Sequence, residues 1–374
     1  MFFSNVLKYF VISVFLSQIV SSQVILEKKN QNVSYQTEVI AKNLNIIWGM
    51  TFIDKNKILF TQKNGKVGIL NTITKKITNI YGVPKVMYSG QGGLLDVAVH
   101  PNYDMNGWIY FTYVKDKNGL GETTLSRAKL NGNRLINWQD LLISKSLSDT
   151  SRHFGSRITF DEKGHLFFSI GDRGVRSNAQ NLSNHAGSIL RLNLDGTVPY
   201  DNPFVKNKHA INEIYSYGHR NPQGLFYDKK NSRLWSIEHG PRGGDEINLI
   251  FAGKNYGWPV ISYGKEYYSA MGVGIGTHKK GMMQPHKVYI PSIAPSSLMV
   301  YSGKAFPKWE GNIFVSALKL KHLNRIVLDK NAKVIKEYRL LEYLNERIRC
   351  VIEDSNGLLY ISTDSGKIFK IMPN

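Results

Sequence analysis

Cysteine is almost absent from this chain. Cys350 stands alone, which excludes an intramolecular disulfide and leaves the core, or a bound metal, to hold a large fold together. The thiol lies in a strand-like run and reads as a small buried hydrophobe. Acidic residues are few: Lys+Arg number 48 against 28 Asp+Glu, a formal charge of +20. The excess is scattered in pairs such as Lys75-Lys76, Lys229-Lys230 and Lys279-Lys280. No basic run or helical stripe gathers it, so it reads as a generally basic surface and not as a nucleic-acid site. Heptads and Pro/Gly/Ser-rich linkers are also missing, which argues against a coiled coil and for one domain. Three-His and Cys-rich spacings are missing too, which argues against zinc.

Long apolar runs are scarce. Tyr9–Leu16 is a short one, preceded by Lys8 and followed by the small residues Val20-Ser-Ser22. That order predicts a secretory signal over 1–22, too short to be a comfortable transmembrane helix. No comparable stretch follows, so the expectation is an exported protein, periplasmic or secreted, without stable membrane insertion. Residues 23–374 form the remaining domain.

What the chain does have is a repeat. A short apolar strand, a polar turn with Asp, Asn or Gly, and a second apolar strand recur in six segments, beginning near 49, 96, 157, 224, 298 and 350. Examples are Arg157-Ile-Thr-Phe-Asp-Glu-Lys-Gly-His-Leu-Phe-Phe-Ser169 and Cys350-Val-Ile-Glu-Asp-Ser-Asn-Gly-Leu-Leu-Tyr-Ile-Ser362. Lys66–Leu70, Arg325–Leu328 and Lys367–Ile371 supply third strands. One small twisted sheet cannot bury both faces, and radial stacking of such sheets solves that problem. The fold predicted is all-β, a six-bladed β-propeller of four-stranded antiparallel sheets. A two-sheet sandwich is the alternative. The residues before Trp48 are expected to add an outer strand that closes the ring. Loops leaving the innermost strands are expected to gather polar side chains at one mouth of the channel.

Those loops are chemically dense. Arg152-His-Phe-Gly-Ser-Arg157 precedes the third unit and Gly171-Asp-Arg-Gly174 follows its second strand. Tyr217-Gly-His-Arg-Asn-Pro-Gln-Gly224 and Glu238-His-Gly-Pro-Arg-Gly-Gly-Asp-Glu246 flank the fourth. Gln91 precedes the second unit, Lys319 follows the fifth, and Arg347 and Arg349 open the sixth. Arg347 and Arg349 alternate, so a strand there places them on one face. Four or five cations around one cavity suit a small polyanion. A neutral imidazole takes a proton from an alcohol when a carboxylate fixes its tautomer; His153 with Asp172 fits that description, and His219 and His239 compete with it. Oxygens of Gly240, Pro241, Asp245 and Glu246 suit a hard cation such as Ca²⁺.

With these residues in view, the chain resembles the soluble pyrroloquinoline quinone (PQQ)-dependent aldose sugar dehydrogenases, relatives of the soluble quinoprotein glucose dehydrogenases. The resemblance runs from Ile47-Trp-Gly-Met50 to Lys367-Ile-Phe369. It rests on Gly90-Gln-Gly-Gly-Leu-Leu-Asp96, His153-Phe-Gly, Gly218-His-Arg-Asn-Pro-Gln-Gly224, Glu238-His-Gly-Pro-Arg-Gly-Gly-Asp-Glu-Ile-Asn248 and Asn255-Tyr-Gly-Trp-Pro259. It implies PQQ across the channel mouth with Ca²⁺ beneath it, and oxidation of aldoses at C1 to lactones with hydride passing to PQQ C5. His153 would be the general base, Asp172 its orienting partner, and Arg220 a stabiliser of charge on the quinone oxygen. Gln91, Arg220, Asn221, Tyr267, Lys319, Arg347 and Arg349 match cofactor contacts. The carbonyls of Gly240 and Pro241 match the catalytic Ca²⁺ site, and Glu246 with the Tyr256 carbonyl a structural one.

Ser156 stands where the family often has Gly, and the loop 263–276 is long enough to shape a sugar pocket. The long insertions of the dedicated glucose enzymes are not evident, which favours broad aldose use and a monomer or weak dimer. The electron acceptor, whether quinone, cytochrome or artificial dye, leaves no mark in the sequence. Two other functions compete: a non-catalytic extracellular binding propeller, and a calcium-dependent lactonase-like hydrolase, which would need a more acidic mouth.

Overall fold

The computed structural model describes residues 33–374; the predicted signal over 1–22 lies outside them. The six expected units are six four-stranded antiparallel sheets. Their innermost strands are Ile47–Asp54, Leu94–Val99, Ile158–Phe160, Pro222–Asp228, Pro295–Val300 and Ile348–Glu353, which number the blades one to six. Each innermost strand packs against the next, and the first touches the sixth, so the ring closes. The expected extra strand is Tyr35–Ala41, which pairs antiparallel with Ile368–Pro373 and completes blade six from the other end of the chain.

The stacking follows from strand alternation. In blade three, Leu166 and Phe168 point into a cluster shared with Tyr110 and Leu125 of blade two. Phe167, between them, points into a cluster shared with Leu225 and Leu234 of blade four. Successive side chains leave opposite faces of a sheet, so each blade is apolar on both sides and buries each side against one neighbour. Every junction has such a cluster, including blades six and one, where Tyr360 and Ile368 meet Ile47 and Phe60. At roughly 25 cal/mol per Å² of buried apolar surface, these junctions replace the disulfides that the chain lacks.

The innermost strands share one irregularity. Pairing with the second strand slips between Ile47 and Met50, Leu94 and Val97, Pro222 and Gly224, Pro295 and Ser297, and Ile348 and Cys350. These bulges lie at one level, near the start of five blades. A bulge takes a residue out of the ladder and re-aims its side chain.

Candidate active site

The mouth is built differently from the sequence expectation. Its residues lie on segments entering the innermost strands and leaving the second strands, not on loops leaving the innermost ones. Antiparallel pairing puts the start of one strand beside the end of its partner. His153, Arg220 and Arg347 therefore enter blades three, four and six, while Asp172, Gly240, Lys319 and Asp364 follow the second strands of blades three to six.

His153 is 8% exposed, and its Nδ1 lies 2.6 Å from Asp172 Oδ1. An ionised carboxylate only accepts, so Nδ1 carries the proton and Nε2 keeps the lone pair. The other carboxylate oxygen, Oδ2, accepts a 2.7 Å bond from the indole Nε1 of Trp258. Burial pulls the His153 imidazole below its ordinary value and Arg220 adds to this, against the upward pull of Asp172. Burial opposes ionisation of Asp172, but the bonds from His153 and Gly174 N–H and the field of Arg220 outweigh it and hold the carboxyl below its usual range. The pair is a neutral base and an ionised partner near neutral pH.

The backbone here is strained into place. His153 has φ +57° and Ser156 φ +102°, left-handed values that side chains adopt reluctantly. A Cβ on Gly171 would lie 2.4 Å from the His153 carbonyl oxygen, so only glycine lets the Asp172 turn come close enough. Phe154, next along, is covered by the Arg173 guanidinium, 3.6 Å from its ring centroid. Arg173 bonds the carbonyls of Arg152, Thr150 and Gly121, and burial brings it down to about 10, still charged at neutral pH.

The competing histidines are engaged elsewhere. His219 is fully buried between Glu238 Oε1 and Ser216 Oγ, both at 2.9 Å. His239 faces the Pro295 carbonyl through Nε2, and burial together with Arg220 lowers it to about 3.

The cations expected at the mouth fall into two groups. Arg220 is buried and fixed by its own N–H to Glu238, by Nη1 to the His239 carbonyl and by Nη2 to the Tyr267 hydroxyl. Asn221, also buried, accepts from Gly155 N–H and Gln223. Arg347 and Arg349 do not share a strand face. Arg347 precedes the strand and is half-exposed, whereas Arg349 sits in the bulge, buried over the Trp48 ring at 4.5 Å. Both still converge on Asp364, at 2.8 Å each. Arg347 also bonds the Leu318 carbonyl, beside the exposed Lys319. Gln91 accepts from the His153 N–H at 2.8 Å.

Sequence reasoning missed three participants. Trp258 lay in a quoted motif without a role. Asp364 sits in an ordinary Thr-Asp-Ser-Gly turn. Lys63, bonded to the Gly90 carbonyl, is pulled down by burial and by Arg349, which places it in the same electrostatic site.

Among the described residues no group of three or more His, Cys, Asp or Glu is arranged around a metal position. Asp245 is bonded within the protein: Oδ1 accepts from Gly240 N–H, and Oδ2 from Ser292 Oγ, Ile293 N–H and Ala294 N–H. A void of about 20 Å³, room for one ion or water, is lined by Glu238, Glu246, Gly218, Gly240, Gly244 and Tyr256 among others. Burial and the neighbouring Glu238 push Glu246 up to about 8. Paired carboxylates and carbonyl-bearing turns around so small a space are a donor set for a hard cation.

The fold is a six-bladed propeller whose mouth gathers cations beside a buried, neutral histidine. The chain belongs to the glucose/sorbosone dehydrogenase family, whose profile matches residues 44–370, and it is an oxidoreductase. It is 36% identical to aldose sugar dehydrogenase YliI of Escherichia coli, over 90% of this chain and 92% of that one. It is 28% identical to quinoprotein glucose dehydrogenase B of Acinetobacter calcoaceticus, over 90% of this chain and 87% of the other. The crystal structure of the soluble E. coli aldose sugar dehydrogenase in its apo form superposes with a TM-score of 0.87 at 34% identity, covering 91% of this chain and all of that one.

Proposed function

We propose that this protein oxidises aldose sugars at C1 to lactones, using PQQ and Ca²⁺. The observation that carries the reading is the buried Trp258–Asp172–His153 chain opening onto a ring of cations. Asp172 holds Nδ1–H, so His153 Nε2 is the atom that receives the C1 hydroxyl proton. Arg220 faces the same space, where its fixed charge stabilises negative charge developing during oxidation.

PQQ, when bound, supplies a two-electron acceptor that takes hydride at C5. Its carboxylates need paired cations once out of water, and Arg220, Lys319, Arg347 and Arg349 are assigned to them, with Gln91, Asn221 and Tyr267 as polar contacts. Arg347 and Arg349 share one carboxylate, Asp364, so that pair of cations keeps a net positive charge for an anion. Ca²⁺, held by the Gly240 and Pro241 carbonyls, would supply Lewis-acid polarisation of the quinone. A second ion is assigned to Glu246 and the Tyr256 carbonyl.

The reading is tested by reconstituting the protein with PQQ and Ca²⁺ and following dye-linked oxidation of glucose, xylose and other aldoses. Binding of PQQ without turnover of any aldose would sink the substrate assignment. His153→Gln should abolish turnover while leaving PQQ binding largely intact.

A further inference from the structure

Five of the six innermost strands carry a bulge at one level, and each bulge frees a polar group from the ladder. Buried backbone groups so freed must find partners. One side chain reaches all five bulges, through four backbone carbonyls and, in blade two, the Asp96 carboxylate. Arg157, entering blade three, donates from Nε to the carbonyls of Gln223 at 2.9 Å and Ser296 at 3.1 Å. Its Nη1 donates to the Trp48 carbonyl at 3.2 Å and to Asp96 Oδ1 at 2.8 Å. Its Nη2 donates to the carbonyls of Ser296 at 2.6 Å and Arg349 at 3.1 Å. Trp48, Asp96, Gln223, Ser296 and Arg349 are the bulge residues of blades one, two, four, five and six. Asp96 Oδ2 returns to blade three by accepting from Ile158 N–H.

We propose that Arg157 is the positioning residue of the mouth, because one guanidinium sets the bulge level of every other blade. Its bonds lead directly to the residues assigned above. Arg349 is itself a bulge residue, aimed at Asp364 by the same irregularity that gives its carbonyl to Arg157. Gln223, held through its carbonyl, uses its amide to fix Asn221 and the Gly155 carbonyl, two residues from His153. Where a bulge relaxes to regular pairing, the following side chains change faces, and Arg349 would turn away from the mouth. Lysine cannot replace this residue, since one ammonium does not span five acceptors on a planar fork.

Below Arg157 the channel widens into a cavity of about 480 Å³, lined by the innermost strands out to Phe52, Val99, Phe160, Phe226 and Val300. A free guanidinium ion therefore has a route to the place of a truncated side chain. This inference uses the PQQ reading for one of its two measurements and stands without it on the other.

The experiment compares wild type, Arg157→Lys and Arg157→Ala by amide hydrogen exchange of the apo-protein and by spectroscopic PQQ titration. The expected result is exchange faster by about tenfold or more at the bulge segments around 48–50, 223–224 and 348–350, with outer strands unchanged. PQQ dissociation constants should rise by about tenfold or more, the range for lost outer-shell partners. Millimolar guanidinium, but not sodium chloride, should restore both in Arg157→Ala. Exchange and PQQ binding like wild type in both variants would overturn the proposal, as would uniform loss of protection or failure of both to fold, since Arg157 would then be structural only. Wild type that binds no PQQ, with exchange changes confined to the bulges, defeats the cofactor reading and leaves the positioning role standing.

Discussion

The Trp258 indole and the His153 imidazole hold opposite oxygens of one carboxylate, Asp172. With Gly174 N–H also donating to Oδ1, the carboxylate is tied at both oxygens and held from rotating away from the base. Trp258 itself is close to two guanidiniums, Arg176 at 5.5 Å and Arg220 at 5.3 Å from its ring. Trp258→Phe keeps the stack and removes the donor. Its kcat should fall about tenfold, the worth of one hydrogen bond to a charged group, with PQQ affinity near wild type. Steady-state kinetics on the reconstituted enzyme checks this.

The acid limb of activity follows from the depressed His153. Base catalysis needs the neutral ring, so activity is lost as pH falls through the His153 pKa. That pKa lies below the ordinary 6.5, so the midpoint of the acid limb in kcat/KM should fall below pH 6.5. Asp172→Asn removes a group that raises the value, so any residual activity should have its limb at still lower pH. Its kcat should drop by about a hundredfold or more, because the tautomer is no longer fixed. A pH–rate profile that breaks above 6.5 would argue against His153 as the base.

Calcium should bind with release of a proton. Without a cation Glu246 is pushed up to about 8, so it is largely protonated at pH 7. A hard cation takes only the ionised form, and each ion at this site should displace about one proton. Calorimetric titration in buffers of different ionisation enthalpy reads that number directly. Affinity should climb as pH rises towards 8, and Glu246→Gln should abolish the proton release.

Ser156 is a point of stored instability. Its φ of +102° favours glycine, and its buried hydroxyl has no hydrogen-bond partner. Ser156→Gly relieves both, against a greater loss of chain entropy, for a net gain of about 1 kcal/mol. Denaturant unfolding should show a higher midpoint at unchanged slope.

The blade pattern was legible because alternation and turn residues are local, and the repeat supplied six readings of one signal. The His153–Asp172 pair was legible because both ends belong to one blade, joined by a short strand and its turn. Arg157, Asp364 and Lys63 were not, since their roles depend on where distant blades meet. A bulge leaves no mark in composition: nothing around Gln223 or Ser296 distinguishes a carbonyl freed from its ladder. The mouth direction was misread for a similar reason, as strand order does not say which end of an antiparallel pair faces the site.

The clasp between Tyr35–Ala41 and Ile368–Pro373 has a bearing on biogenesis. The mouth draws on blades one to six, and blade six is finished only when these two strands meet. During synthesis, then, no partial ring can present the complete set of groups, and a cofactor encounters either an open arc or a closed toroid. Loading belongs after the last strand has been made. Deleting Ile368–Pro373 would remove the ring's fastening, and with it the assembly of a site formed from residues far earlier in the chain.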